Sequence, residues 1–383
     1  MEIVDNKALL LRTRSPDKYN IIPCSKVVSE ENGISLVAVR WGLEEVRVLK
    51  NLGVREVPSP INGKYPWPGR FVPMEHQKET SSFLTLNNRS FVFSEPGTGK
   101  TLSALWAADY LMKTKKVRRC LILCPVSIMH SAWMSDLTNS IIHRSAIVAH
   151  HQKASRRVEM VQGDYEFVII NYDAYKNVST KRWKSLNKIL RPDTLLWMMT
   201  GTPAAQSPLD AYGLAKLVNP KAIPRFFTAW RDLTMNKITM FKWMPKKDAQ
   251  ENVHRVLQPA IRFTKQQCLD LPPVITLTRA AKLTAQQQKY YLMLKQEMIV
   301  KAAGETISAV NAATEVNKLL QISAGAAYAD NGEVVEFDCS SRLNVLMEAL
   351  EETDRKVLVF ATYRHSIDTI VSYLESKNIS CKK

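Results

Sequence analysis

Glycine is scarce in this chain, with 13 residues in 383 against the ~7% usual in globular proteins. Any local cluster of glycine is therefore informative. Acidic residues are also short: 36 Asp or Glu stand against 53 Lys or Arg, leaving a net charge of +17. Such a field favours a polyanionic partner such as nucleic acid, and solubility charge is the plainer alternative. The six cysteines, Cys24, Cys120, Cys124, Cys268, Cys339 and Cys381, contain no CxxC pair, so neither a zinc site nor a disulfide framework is indicated. Cys120 and Cys124 sit in the strand-like run CLILC and read as core sulfurs. No apolar run approaches the ~18 residues of a membrane span. The opening MEIVDNK lacks the basic-then-apolar order of a secretory signal, and a reducing, cytoplasmic setting is expected. Hydrophobic residues at 45% and charged residues at 23% exclude a disordered or collagen-like chain. The length suits two or three domains of ~150 residues.

What is present alternates along the chain. KVVSEENGISLVAVRW alternates apolar and polar residues around Asn32-Gly33, a hairpin signal. Leu43, Val46 and Leu49 follow at helical spacing, with Gly53 as a stop. PSPINGKYPWPG (58–69) packs four prolines and two glycines into twelve residues and reads as a linker. Residues 1–66 are thus a small α/β unit with its linker. From 67 to 222, helix-like PMEHQKETSSFLTL and LSALWAADYLM alternate with strand-like SFVF, CLILC, FVII and LLWMM, the pattern of a parallel sheet covered by helices. Residues 223–270 read as a basic helical insert. Over 223–300 there are thirteen Lys or Arg and five Asp or Glu, with Trp230 and Trp243 among them. That stretch fits a nucleic-acid backbone, or equally a solvated helical surface with aromatic core anchors. KVLVF (356–360) is a further buried-strand run, followed by helix-like SIDTIVSYLESKN.

The chemistry concentrates in one loop. Ser94, Glu95, Pro96, Gly97, Thr98, Gly99, Lys100 and Thr101 follow an apolar strand and precede an apolar-periodic helix, the context that a phosphate-binding loop requires. Gly97 and Gly99 let backbone N–H groups turn toward phosphates. Lys100 is placed to reach the β and γ oxygens, the Thr101 hydroxyl to ligate Mg2+, and the helix N-terminus adds its dipole. Ser94 departs from GxxxxGK[ST], where glycine is usual. A chance GxGKT in a loop is the bland alternative, and the strand–loop–helix context argues against it. ATP or GTP binding follows from the loop.

Around it, eight segments in order resemble the Swi/Snf-like branch of superfamily-two DEAD/DEAH-box helicases and ATPases, in the compact form that phages carry. The resemblance covers about residues 71–383. FVPMEHQ is similar to the family's adenine-sensing segment, which implies that Gln77 reads the adenine edge with Phe71 nearby. SEPGTGKT matches the nucleotide loop, whose first residue in this branch is often not glycine. CLILCPVSIMHSAW resembles the next motif, whose loop in the family touches the DNA backbone, with Trp133 on the helix that follows. FVIINYD resembles the strand after that. MMTGTPAAQ resembles the motif coupling nucleotide state to domain closure, with Thr200, Gly201 and Thr202 in the matching places. IRFTKQQCLDLPP is similar to the stretch leading into the second lobe, and SSRLNVLMEAL and KVLVFATYRHSIDTI to that lobe's opening helix, strand and turn. The implied fold is α/β: a RecA-like P-loop parallel sheet with flanking helices (67–222), the basic helical insert (223–270), a truncated second RecA-like lobe (271–383) and the small N-terminal unit. The implied cofactors are ATP and Mg2+, and the implied partner is DNA.

Two departures from the family pattern stand out. The acidic Asp-Glu motif, which would hold the Mg2+ shell and orient the attacking water, is missing between FVIINYD and MMTGTP. Asp173 ends an apolar run there, either as a metal-binding carboxylate or as a turn residue. By the resemblance, the motifs supplying the arginine finger are expected to be missing as well, and losing a finger costs ~10³–10⁵ in rate in related nucleotide hydrolases. Three readings result: an ATP-driven DNA translocase or helicase, a nucleotide- and DNA-binding remnant without turnover, and a basic nucleic-acid binder whose glycine loop is incidental.

Overall fold

The computed structural model describes residues 1–171, 178–240, 242–304, 309–328 and 333–383. Asp173 lies outside them, as do Ala174 to Asn177. The chain divides into two compact units, Met1–Pro272 and Pro273–Lys383.

Strands β1 (Glu2–Val4), β2 (Ala8–Thr13), β3 (Lys26–Glu31) and β4 (Ile34–Arg40) form an antiparallel sheet in the order β1-β2-β4-β3. Asn32 and Gly33 join β3 to β4 with φ of +53° and +70°, the two positive values that the tightest right-twisting hairpin turn needs. Leu9, Leu11, Val37 and Val39 point inward and meet Val46 and Leu49 of the helix Leu43–Asn51. The proline-rich stretch 58–69 is not the free linker that its composition suggests. Ile61 and Tyr65 are fully buried, and Tyr65, Trp67 and Trp106 make edge-to-face ring contacts at 5.3 and 5.6 Å. Prolines interrupt regular structure there, but burying each large apolar side chain gains ~1.5–3 kcal/mol, which draws the stretch onto the core. Residues 1–66 therefore pack as part of the larger unit.

Strands β5 (Arg89–Val92), β6 (Cys120–Cys124), β7 (Ala146–Val148), β8 (Phe167–Asn171) and β9 (Leu196–Met199) follow. The segment 223–270 holds the helices Phe227–Thr234 and Ala249–Val256, a hairpin of β10 (Met235–Lys237) and β11 (Trp243–Pro245), and β12 (Ala260–Ile261). It is thus less helical than its sequence suggests, because the apolar pair Ala260-Ile261 joins the sheet of β5. Pairing among the central strands is parallel, as short apolar runs between helices require. The strands nevertheless form two three-stranded sheets, β12-β5-β9 and β6-β8-β7, rather than one. Strands β6 and β9 are the facing edges, each hydrogen-bonded on one side among the described residues. Apolar contacts join the sheets: Leu195 and Trp197 reach the cluster of Ile122 and Cys124, while Leu123 reaches that of Met198.

The helix Lys100–Lys113 is buried along its whole run from Ser103 to Met112, which explains why apolar residues dominate every face of it. Trp230 is a core anchor at 0% exposure. Trp243 is half-buried beneath the Arg231 guanidinium, 4.2 Å from the ring centre.

The second unit contains the helices Ala285–Gly304, Ala309–Ala324, Ser340–Glu351 and Arg364–Ser376, with a hairpin of β13 (Ala326–Tyr328) and β14 (Val334–Glu336). KVLVF, expected as a buried strand, is neither strand nor buried: Leu358 is 85% exposed and Phe360 92%. A parallel strand is stable only beside hydrogen-bonding neighbours, and no described strand of this unit pairs with it.

Candidate functional site

The loop 94–101 leaves the end of β5 and enters the helix Lys100–Lys113. Its backbone turns through Gly97 at φ +87° and Gly99 at φ +70°, a region where a side chain is strained. At Gly99 a Cβ would also lie 2.0 Å from Gln77 Nε2, so only glycine fits. The Lys100 ammonium folds back into the loop and donates to the Ser94 and Glu95 carbonyls at 2.7 and 2.8 Å. Burial lowers its pKa and the nearby Glu95 carboxylate partly opposes that shift. Thr101 is the second residue of the helix and is half-buried.

The segment after β12 is stitched along the loop. Phe93 N–H donates to Ile261 O at 2.8 Å, Glu95 N–H to Phe263 O at 3.0 Å, and Phe263 N–H to Ser94 Oγ at 3.2 Å. Lys265 N–H donates to Glu95 Oε2 at 2.9 Å. The Lys265 side chain consequently crosses the loop, its Cε 3.7 Å from where a Gly97 Cβ would sit. This places a second lysine beside the loop, from 165 positions further along the chain. IRFTK, the start of the stretch that runs up to the division at Pro272, is also part of the nucleotide loop's own frame.

Gln77 is buried on the helix Glu75–Leu86. Its Oε1 accepts from Met74 N–H at 2.9 Å, and its Nε2 reaches Gly99 O at a long 3.4 Å. One N–H and one lone pair of the amide remain for a base edge. Beside it, His76 Nε2 bonds Thr98 O at 2.8 Å and its ring lies 5.8 Å from that of Phe263. Phe71 is exposed. Trp133 packs into the core clusters around the helix Lys100–Lys113 and its flanking strands.

Thr200 follows β9, and its N–H donates to Val92 O at 3.1 Å. Thr202 N–H donates to Thr200 Oγ1 at 3.2 Å. Gly201 lies against the Pro96 ring, where a Cβ would come within 3.0 Å of Cδ. The structure thus brings Gln77, the loop 94–101 and Thr200 to Thr202 together at the ends of β5 and β9. His76, Phe263 and Lys265 are the site residues that motif spacing missed. Phe263 and Lys265 do lie within IRFTKQQCLDLPP, but only the pairing of β12 with β5 reveals which face they serve.

The donor set suits a triphosphate: inward-turning backbone, a helix start and two lysines. Mg2+ takes few protein ligands and keeps phosphate oxygens and waters, so the single Thr101 hydroxyl is an appropriate protein contribution. Among the described residues no group of three His, Cys, Asp or Glu could hold a metal.

The SNF2-related domain matches residues 38–191 and 176–324 of this chain. Protein p41 of Acyrthosiphon pisum secondary endosymbiont phage 1 is 21% identical over 350 residues, covering 81% of this chain and 76% of that protein. The SWI/SNF-related matrix-associated actin-dependent regulator of chromatin subfamily A-like protein 1 of Xenopus tropicalis is 21% identical over 328 residues, covering 80% of this chain. The match spans 33% of that longer relative. Among solved structures, the Sulfolobus solfataricus SWI2/SNF2 ATPase core in complex with dsDNA is 20% identical, covers 82% of this chain and 72% of its own, and superposes with a TM-score of 0.47.

Proposed function

The chain belongs to the SNF2-related family, and on that premise we propose that it is a helicase-like ATPase that binds ATP with Mg2+ and acts on DNA. The loop 94–101 carries the reading. It stands between a parallel strand and a buried helix, with the Lys100 ammonium held on the loop carbonyls. An incoming phosphate would take that ammonium from the Ser94 and Glu95 carbonyls, exchanging neutral acceptors for charged ones. Thr101 would hold the metal, which supplies charge neutralisation between phosphate oxygens. Gln77 would select adenine through its remaining amide positions. Thr200 to Thr202, bonded to the end of β5 and packed on Pro96, would sense whether the loop is filled.

DNA as partner is supported by the +17 charge and by the family. The split between β9 and β6 bears on turnover. In the family reading an acidic strand belongs in that region, and edges of β6 and β9 that no described strand pairs with on that side are what its absence would leave. Binding and turnover are therefore tested separately. DNA-stimulated phosphate release by the parent, abolished in Lys100→Ala, is the expected result. Equal release by both proteins would sink the proposal, while tight ATP binding without release would select the non-hydrolysing alternative. The proposed setting is the cytoplasm, of the host where the chain is phage-carried.

A further inference from the structure

A polar cavity of about 320 Å³ opens at the start of β5, between the end of the helix Leu43–Asn51 and the turn after the helix Glu75–Leu86. Its cations are Arg47, Lys50 and Arg89, the amides of Asn51 and Asn88 join them, and no acid is among the described residues that line it. Leu86 is the one apolar side chain in that lining. Pockets of ~300–1,000 Å³ that take small molecules are mostly apolar, so this one suits a hydrophilic anion rather than a ring system. A strand rises ~3.3 Å per residue, which sets Arg89 on the order of 15 Å from the loop that begins at Ser94 and makes the cavity a separate place.

Structural duties account for only part of this charge. Arg47 Nη2 donates to Thr85 O at 2.8 Å, and Arg89 Nη1 and Nη2 donate to Leu217 O and Arg191 O at 3.1 and 2.6 Å. These acceptors are neutral and cancel no charge. In both arginines Nε is buried without a hydrogen-bond partner, so the protein fills neither donor set. Arg47 lies 3.7 Å from the Glu44 carboxylate, which Lys116 holds more closely at 2.6 Å. The side chains of Lys50, Asn51 and Asn88 make no hydrogen bond or ion pair among the described residues. A basic residue at a helix end ordinarily serves the free carbonyls there. At the end of Leu43–Asn51, however, the Val48, Leu49 and Lys50 carbonyls already accept from the N–H groups of Leu52, Val54 and Gly53 at 2.9, 3.0 and 3.0 Å. Lys50 and the two amides are therefore surplus to what the fold needs.

We propose that this cavity binds phosphate groups, either of a short polyphosphate or of a nucleic-acid backbone. Lys50 supplies a flexible ammonium, Arg47 and Arg89 supply fixed charge, and Asn51 and Asn88 supply neutral N–H donors. Bonds from cations to phosphate oxygens are stronger than bonds to carbonyls, and the anion neutralises charges that the fold leaves uncancelled. A bound phosphate would bridge the helix Leu43–Asn51 to the start of β5. The inference is independent of ATP binding and turnover at the loop 94–101.

The test is calorimetry of inorganic tripolyphosphate binding to the full chain, in the parent, in Lys100→Ala, and in Lys50→Gln with Asn51→Ala. The parent should show two sites. Lys100→Ala should remove the loop site and keep the cavity, while the Lys50 and Asn51 variant should keep the loop site and weaken the cavity about tenfold, the size of one charge-assisted bond. Both of its altered side chains are exposed, so its thermal melting should match the parent. Loss of all binding in Lys100→Ala would overturn the cavity and leave the loop reading standing. Two sites of parental affinity in the Lys50 and Asn51 variant would overturn it as well. A single site that survives Lys100→Ala and weakens in the other variant would uphold the cavity and remove the loop reading. Duplex DNA titrated across a salt series then separates the two sources of phosphate. A log–log salt slope flatter by about 1 in the Lys50 and Asn51 variant, at ~0.9 per phosphate contact, assigns the cavity to a nucleic-acid backbone, and an unchanged slope assigns it to free polyphosphate.

Discussion

Ser94 occupies the position where a phosphate loop usually has glycine, and its surroundings give the reason. Its side chain is buried and its Oγ accepts Phe263 N–H, a bond glycine cannot supply, worth ~1 kcal/mol net. It fastens the loop to the strand that delivers Lys265. Lys100 bears a second residue-scale consequence. Burial holds its pKa below the ordinary lysine value of 10.5, so the unfolded chain binds this proton more tightly than the folded loop. Nucleotide-free stability therefore rises as pH climbs through the window from the lowered value up to 10.5. A bound triphosphate favours the ammonium and raises its pKa, so ATP binding in that window should take up a proton. Calorimetry in buffers of different ionisation heat should show the uptake in the parent and none in Lys100→Arg, whose guanidinium stays charged; equal uptake in both would remove Lys100 as its source.

Among the elements, the helix Lys100–Lys113 is the one on which the site depends most. It carries the loop at its start and one buried carboxylate on its far half. Asp109, 2% exposed, accepts from Tyr65 OH at 2.6 Å, Arg144 Nε at 2.5 Å and His143 Nε2 at 3.0 Å. Arg144 also reaches Glu166 at 2.5 Å, tying the helix to the start of β8. Burial, with the bond to Asp109, raises the Tyr65 phenol pKa. Asp109→Ala leaves the buried Tyr65 hydroxyl and one side of the half-buried Arg144 guanidinium without an acceptor and should cost ~1–3 kcal/mol in urea unfolding. The exposed Arg156–Glu159 pair at 2.8 Å should give ~0–1 kcal/mol on the same test, so a comparable loss at both would refute the burial argument. The strands are less self-sufficient than this helix. FVII found parallel neighbours and is buried, whereas KVLVF, also rich in apolar residues, lies exposed in a unit where no described strand pairs with it.

For the whole molecule, residues 271–282 are exposed and without regular structure, spanning the boundary at Pro272. Brief trypsin digestion should nick first at Arg279 or Lys282 and release a stable fragment of about the size of Met1–Pro272, because proteases need an accessible, extendable backbone. First cleavage within the helix Lys100–Lys113 would contradict the division. Much of this organisation was legible beforehand. The Asn32-Gly33 turn, the buried runs FVF and FVII and the strand–loop–helix around Lys100 depend on local backbone preference and on the period of apolar residues, both written in neighbouring positions. The glycine scarcity that made Gly97 and Gly99 conspicuous, and the charge that pointed to a polyanion, are likewise properties of sequence alone. Four other features belong to the tertiary structure: the packing of 58–69, the separation of β9 from β6, the delivery of Lys265 to the loop, and the gathering of Arg47, Lys50 and Arg89 around one cavity. Each depends on which distant segments meet, and hydrogen-bond pairing and burial between residues far apart in the chain leave no local trace by which to read them.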